Sequence, residues 1–235
     1  MAEITFTPTT YEDQLMETHP HAAIRSLPEW YKDIPPYVDG DTKLQFPLHF
    51  AVPNLTIKRC VPFLDSFTMG YVAVLSDDVF VQQVNGFPVV RWRSNASLVT
   101  DHPESQVPGV PIPEEYSPIP LKWENKWTVN VPKGYSVMFT HPLNRFDLPF
   151  HTLTGVVDCD FFDAPVNFPF LLKKDFEGII ERGTPICQLI PIKRDDWISS
   201  VKPFNPDQSY KSIRSSNMSL INHYKKGFWK KKSYK

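Results

Sequence analysis

Proline is spread along almost the whole of this chain, and its 24 occurrences among 235 residues limit what the chain can fold into. Proline interrupts the hydrogen bonding of both helices and sheets, so it confines regular structure to short elements. Glycine is scarce at 9 residues, whereas phenylalanine is abundant at 17. This composition predicts short strands, proline-braced connections and extended arms rather than long helices.

Short runs with strand character fill the middle of the chain. Some alternate apolar with polar residues and others are wholly apolar, which are the patterns of half-buried and buried strands. They lie at 57–61, 69–75, 77–82, 89–93, 121–131 and 135–140, with three more within 150–193. Asn85 and Gly86 separate two of them and predict a hairpin, because both central positions of a type I′ turn need a positive φ. About ten short strands predict an all-β barrel or sandwich.

Composition divides the chain into three segments. Residues 1–56 form a proline-rich aromatic arm, residues 57–197 hold the predicted strands, and residues 198–235 form a C-terminal extension. Helices in the arm are predicted to be short, at 11–16 or 28–32, because the X-Pro bonds break anything longer. Its aromatic residues are expected to be buried on their own core or on a neighbouring subunit, since such surface is costly to expose. These residues are Trp30, Tyr31, Tyr37, Phe46 and Phe50.

The charge of the chain is concentrated at its C-terminal end. Residues 225–235, the basic tail, contain six lysines and no acid, whereas the whole chain has a net charge of −1. The chain as a whole therefore has no positive field that would attract nucleic acid. The tail itself is either a solvated or locally packed end, or a contact for an acidic partner or for phosphates, with Phe228 and Trp229 available to stack.

Several features bear on the compartment. The three cysteines form no CxxC pair, and an odd number of them is typical of free thiols in a reducing environment. The N-terminal residues lack the basic and apolar regions of a signal peptide. No apolar run approaches the 18 or so residues of a membrane span. The expected location is the cytoplasm, without secretion through a signal peptide and without membrane insertion.

Common metal and catalytic signatures are missing from the sequence. The seven histidines are scattered, and we find neither HExxH nor G-x-S-x-G nor a phosphate-binding loop. His141 and His151 flank a loop between predicted strands, where surface or turn positions are the simplest interpretation. We therefore expect no metal ligands and no resident cofactor.

Two segments combine apolar strand character with isolated polar residues. In the first, G-V-V-D-C-D-F at 155–161, Asp158 and Asp160 are two residues apart and would share one face of an extended strand. In the second, T-P-I-C-Q-L-I at 184–190, Gln188 is the single amide in a buried run. Asp158 could accept a proton from water, or the acids could cap a turn. Gln188 could bind a ligand, or backbone groups could satisfy its amide.

These two segments resemble the third and fourth motifs of dUTPases and dCTP deaminases, G-[VI]-[VI]-D-x-D-[YF] and G-x-x-[IV]-x-Q-[LI]-[IV]. The resemblance implies an all-β core of the β-clip type, and such proteins are commonly trimers. It also implies that Asp158 activates water, that Phe161 stacks beneath a sugar, and that Asp160 and Gln188 contribute to ligand binding.

Other parts of that catalytic set differ here. In the strand that resembles the first motif, A-G-Y-D-L, Gly70 and Tyr71 are present, but Val72 replaces the acid that serves Mg²⁺. The R-S-G of the second motif is absent, and Arg145 is the nearest substitute for its arginine. The Gly-rich arm of the fifth motif is replaced by the basic tail, and the catalytic glutamate of the deaminases has no obvious counterpart.

The chain also resembles a family of tailed-phage and bacterial proteins over most of its length, in the segments 27–32, 58–65 and 141–197. Two hypotheses follow. The first is a non-catalytic phage-type structural or binding module on a dUTPase-like scaffold, with phage structural proteins contacted through residues 1–56 and the basic tail. The alternative is a divergent nucleotide-binding protein or enzyme that uses Asp158 and Gln188, and only this alternative requires Mg²⁺.

Overall fold

The computed structural model describes residues 2–16, 18–38, 55–210 and 223–235. The chain divides into two compact units. The first consists of Met1–Ser26, Thr68–Arg194 and Tyr234–Lys235, and the second consists of Leu27–Phe67 and Asp195–Ser233. These boundaries differ from those of the three segments defined by composition, so the expected domain organisation stays a prediction.

The first unit is built from short antiparallel strands. They are β1 (Thr5–Pro8), β2 (His21–Ala22), β3 (Tyr71–Val74), β4 (Val79–Val84), β5 (Phe87–Trp92), β6 (Val99–Asp101), β7 (Leu121–Trp123), β8 (Trp127–Asn130), β9 (Tyr135–Thr140), β10 (Phe150–Thr152), β11 (Gly155–Val157), β12 (Phe168–Leu172), β13 (Gly178–Ile180) and β14 (Pro185–Lys193). The residues 150–193 thus hold five strands rather than three. The prediction of an all-β fold is confirmed.

The strands form four separate sheets, and none of these closes on itself within the described residues. The sheet orders are β1-β8, β10-β12-β7-β6, β11-β9-β14-β3-β2 and β13-β4-β5. Their apolar faces share one core, in which Trp123 is fully buried. Its ring stacks on Phe170 with centroids 4.0 Å apart and meets Phe150 edge-on at 5.2 Å. Aromatic packing of this kind adds to the hydrophobic stabilisation of a core.

The predicted hairpin is present between β4 and β5. Asn85 has a φ of 54° and Gly86 a φ of 81°, as a type I′ turn requires. Val84 and Phe87 close the turn as paired residues. Local turn chemistry was sufficient to predict this element.

The segment 57–61 is helical, so the prediction of a strand there was wrong. Ile57–Arg59 forms a 3₁₀ turn that Thr56 caps, its hydroxyl accepting from the amide of Lys58 at 3.3 Å. Helix α3 (Val61–Thr68) follows, with Pro62 in its first turn, where a missing N–H is tolerated. The cap at Thr56 and the proline in the first turn of α3 favour helix, although the apolar residues of 57–61 had suggested a strand.

The segment 121–131 contains two strands rather than one. Asn125 breaks the run, because its side chain accepts from the amide of Trp127 at 3.1 Å and donates to the Trp127 carbonyl at 2.6 Å. This closed local arrangement is typical of an Asx turn. As a result, β7 pairs with β12 and β6, whereas β8 pairs with β1.

The second unit has helices α2 (Glu29–Asp33), α3 and α4 (His223–Gly227), while α1 (Tyr11–Leu15) lies in the first unit. The short helices predicted near 11–16 and 28–32 are both present. Of the arm aromatics, Tyr31 is buried against Phe63 and Phe67, Trp30 is half-buried, and Tyr37 is exposed. Phe46 and Phe50 lie outside the described residues.

The basic tail is anchored within the second unit at Asp65. The indole Nε1 of Trp229 donates to this carboxylate at 2.9 Å, and the ammonium of Lys232 also pairs with it. Lys230 and Lys231 between them are exposed. In the part of the chain that the structure describes, no helix has the length and apolar character needed to cross a membrane.

Candidate functional site

Strand β9 lies between the two strands that carry or precede the candidate residues, so it sets the distance between them. β11 pairs with one edge of β9, so that Asp158 follows the pair Val157 and Val137. β14 pairs with the other edge, where Gln188 lies opposite Thr140 and Lys193 opposite Tyr135. The carboxylates therefore lie near the start of β9 and Gln188 lies at its end. Four residues of strand separate these positions by about 13 Å.

At the start of β9, Arg194 brings the two carboxylates together. Its Nη1 donates to Asp158 Oδ1 at 3.0 Å and to Asp160 Oδ1 at 2.9 Å, and its Nη2 donates to Asp160 Oδ2. The Ser136 hydroxyl donates to the same oxygen of Asp158 at 2.6 Å. The amide of Gly134 donates to Asp160 at 2.9 Å. We call Asp158, Asp160, Ser136 and Arg194 the carboxylate cluster.

The electrostatics of this cluster favour a fixed ion pair. Hydrogen bonds from Arg194, followed by the hydrogen bond from Gly134, lower the pKa of Asp160. The same pairing raises the pKa of Arg194. The Asp160 side chain has no exposed surface, whereas 63% of the Asp158 side chain is exposed. Both hydrogen bonds to Asp158 are accepted by its Oδ1, from Ser136 and from Arg194, so the carboxylate is held in a fixed orientation.

Phe161 lies beside the cluster. The guanidinium carbon of Arg194 is 6.0 Å from the centre of its ring, and 73% of Phe161 is exposed. Its amide donates to the carbonyl of Asp158 at 3.0 Å, which closes a turn directly after β11. The ring is therefore positioned by the same turn that presents the carboxylates.

Gln188 is a buried amide with backbone partners. Its Oε1 accepts from the amide of Leu143 at 2.9 Å, and its Nε2 donates to the carbonyl of Met69 at 2.6 Å. Only 1% of the residue is exposed. The side chain thus ties the loop after β9 to the start of β3. Val72 on β3 is the buried strand partner of Gln188.

The loop 141–149, which connects β9 to β10, carries Arg145. This guanidinium forms a bidentate pair with Asp147 at 2.8–3.1 Å. His141 braces the loop, because its Nδ1 accepts from the amide of Thr152 at 3.2 Å and its Nε2 lies 3.1 Å from the carbonyl of Arg145. Since the Thr152 amide can only donate, His141 carries its proton on Nε2. Asn144 has a φ of 59°, an uncommon value for a residue other than glycine.

A pocket of about 250 Å³ opens over this loop. Its walls are mainly apolar and aromatic, including Leu143, Leu148 and Phe150, and Arg145 contributes to one side. The His151 ring stacks on His141 with centroids 4.5 Å apart. Asp158, Asp160 and Gln188 do not line this pocket, although Gln188 holds its loop through Leu143. The structure therefore places Arg145 and the two carboxylates at separate sites.

Acidification is expected to destabilise the protein through His141. Burial is the main cause that lowers the pKa of His141 to about 4 from an ordinary 6.5. Protonation thus favours the unfolded chain, so the stability present above pH 6.5 is lost as the pH falls toward 4, by up to about 3 kcal/mol. Urea unfolding between pH 5 and 7 tests the effect, because Asp160, whose pKa is lowered chiefly by Arg194, adds its own loss of stability only below about pH 5. If the free energy of unfolding of His141→Gln fell with pH as steeply as that of the wild-type protein, His141 would not be the group responsible.

The thiols offer no reactive nucleophile in the first unit. Cys159 and Cys187 are buried, and burial raises the pKa of both, for Cys159 to about 11. Cys60, in the second unit, is partly exposed. Within the described ranges, no group of three or more His, Cys, Asp or Glu side chains is placed to hold a metal ion.

Arg194 and the pairing of His141 with His151 were not found by sequence reasoning. The segment K-R-D-D at 193–196 lies at the end of the strand that contains Gln188. A basic residue at this strand end was the one sequence feature that could have pointed to Arg194. Its partners could not be recognised, because they lie more than 30 residues earlier in the chain. No protein-family model and no curated protein matches this sequence.

Proposed function

We propose that this chain is a non-catalytic structural or binding module of phage type, built on a dUTPase-like β-clip scaffold and assembled as a homo-oligomer, specifically a trimer. The engagement of Asp158 and Asp160 by Arg194 carries this proposal. A catalytic carboxylate must be able to accept a proton. Here the same groups form a fixed ion pair that supports the turn after β11.

The other elements of the resemblance support the same conclusion. The Gln188 amide is satisfied by two backbone groups, and Arg145 is paired with Asp147. Val72, which the sequence resemblance aligns with the metal-site acid, is a buried valine that cannot ligate a metal. Triphosphate binding depends strongly on metal and phosphate contacts, so this set would hold such a ligand weakly.

Two segments are the proposed contacts for phage structural proteins. One is the arm 1–56, in which the ring of Tyr37 remains exposed. The other is the basic tail, which Trp229 and Lys232 fix at Asp65 while Lys230 and Lys231 stay exposed. A fixed lysine pair of this kind suits an acidic protein surface, and its attraction would be screened by salt. The module would act in the host cell or in the virion.

A nucleotide-binding role is the second candidate, and the pocket over the loop 141–149 favours it. The pocket combines aromatic walls with the guanidinium of Arg145. Nucleotide binding would require Arg145 to exchange Asp147 for a phosphate. Asp158 would lie outside such a site, since the pocket does not include it.

An activity assay separates the proposed module from a dUTPase-like or dCTP deaminase-like enzyme that uses Asp158 and Gln188. Purified protein with Mg²⁺ is expected neither to hydrolyse dUTP nor to deaminate dCTP at an enzyme-like rate, because the carboxylates are paired and the metal-site acid is missing. Product formation by chromatography is the measurement, with Asp158→Asn as the matched variant. Turnover of about 1 per second or faster, abolished in that variant, would overturn the proposal.

A further inference from the structure

The segment that follows β14 exposes an unusual amount of apolar surface. Residues 195–204, here called the exposed arm, have no regular secondary structure, and every one of them is exposed. Its large apolar side chains are between 80% and 101% exposed, and these are Trp197, Ile198, Val201 and Phe204. Scattered single apolar residues are normal on a protein surface, but a run of four within eight residues marks an interaction segment.

The area of this surface is comparable with that of a specific interface. Buried aromatic side chains each cover about 150–250 Å², so Trp197 and Phe204 alone offer roughly 300–500 Å². A standard interface buries about 800 Å² on each partner. The two aromatic side chains of one arm therefore supply about half of the area that one partner buries in a standard interface. Ile198 and Val201 add to this area. If each copy both donates and accepts an arm, the total reaches the range of stable assemblies.

The first unit has an open sheet edge that suits an extended segment. β11 is the terminal strand of its sheet and pairs only with β9 among the described residues. Val156 in its centre is 61% exposed, and the exposed rings of Phe161 and Phe162 follow within six residues. Such an edge can accept a further strand, with main-chain hydrogen bonds giving affinity and side-chain contacts giving specificity.

The arm begins next to this edge. Arg194, the residue before the arm, pairs with Asp158 and Asp160, which directly follow β11. The point at which the arm is attached therefore lies beside the end of β11. A neighbouring copy that brings its own edge to this place can receive the arm without a long connection.

We infer that the exposed arm of one copy docks on the open edge of β11 in a second copy of this chain. In an extended arm, Trp197 and Val201 point to one side and Ile198 to the other. One of these sides covers Val156 and the rings of Phe161 and Phe162. Pro203 ends the pairing, since it has no N–H to donate. This inference rests on the proposed role as a module that assembles with copies of itself.

Light scattering during size-exclusion chromatography tests the assembly over a wide dilution series. Wild-type protein is expected to be oligomeric, and the double variant Trp197→Ser with Ile198→Ser should raise the dissociation constant by about 30-fold or more, as for hot-spot residues. Val156→Lys on the acceptor edge should do the same. Phe146→Ser is the matched control, because this ring is 79% exposed but distant in sequence from both surfaces, and it should leave assembly unchanged.

A photo-crosslinking amino acid at position 197 tests the docking site directly. In a mixture of isotopically light and heavy protein, mass spectrometry should find crosslinks between copies that map to residues 155–162. A monomeric wild-type protein, crosslinks within one copy, or crosslinks to another surface would each overturn the inference. These results are independent of nucleotide turnover, so a protein that exchanges arms but hydrolyses dUTP would disprove only the proposed function.

Discussion

The variant Gly70→Ala is expected to lose most of its stability or to fail to fold. Gly70 has a φ of +73°, a left-handed conformation that costs other residues about 1–2 kcal/mol. A Cβ atom there would also lie 2.1 Å from the carbonyl oxygen of Leu189 on β14. This neighbour is backbone, and it cannot move without disturbing the pairing of Leu189 with Tyr71. We expect a total loss above about 4 kcal/mol, compared with the 5–15 kcal/mol that stabilises a typical domain.

Urea unfolding followed by circular dichroism measures this loss, and Gly86→Ala is its matched control. Gly86 has a similar φ of +81°, but nothing lies within 4 Å of the position of its Cβ. The control should therefore lose only the conformational part, about 1–2 kcal/mol. Equal losses in the two variants would contradict the close approach of Gly70 to β14.

The variant Gln188→Leu is expected to lose about 2–6 kcal/mol of stability. Leucine matches the size of glutamine, but it leaves the amide of Leu143 and the carbonyl of Met69 without their partner. Each unsatisfied buried polar group costs about 1–3 kcal/mol. The loss should be accompanied by faster hydrogen exchange at Leu143, because its loop is no longer tied to β3.

The exposed amide of Gln82 provides the control for this experiment. Gln82 lies on β4 with its side chain at the surface, so Gln82→Leu should change the free energy of unfolding by less than about 0.5 kcal/mol. If Gln188→Leu were as mild as this control, Gln188 would not be a structural amide.

The parts of the fold that could be predicted from the sequence depend on local chemistry. The hairpin at Asn85 and Gly86 needs only the preference of these residues for positive φ. Strand β9 was predicted correctly as 135–140, because Gly134 before it and an apolar run define it locally. The all-β character followed from the same short-range patterns.

The parts that could not be predicted depend on side-chain contacts across the chain or on competing local bonds. The strand predicted at 57–61 became helical because Thr56 caps a turn there. The run 121–131 divided because Asn125 bonds to Trp127 instead of continuing the ladder. In the candidate site, Asp158 and Asp160 lie in the turn after β11 rather than on one face of an extended strand, so that prediction was wrong, and their partner Arg194 is more than 30 residues away. No short-range pattern identifies such a partner.

The positions of the thiols allow this protein to be labelled without any substitution. Cys159 and Cys187 are 1% and 0% exposed, whereas Cys60 is partly accessible. A thiol-reactive fluorophore would therefore attach at one place, immediately before α3 in the second unit. The fluorescence anisotropy of that dye reports how slowly the labelled molecule tumbles. Self-association of the native sequence can thus be followed on dilution with a single-site probe.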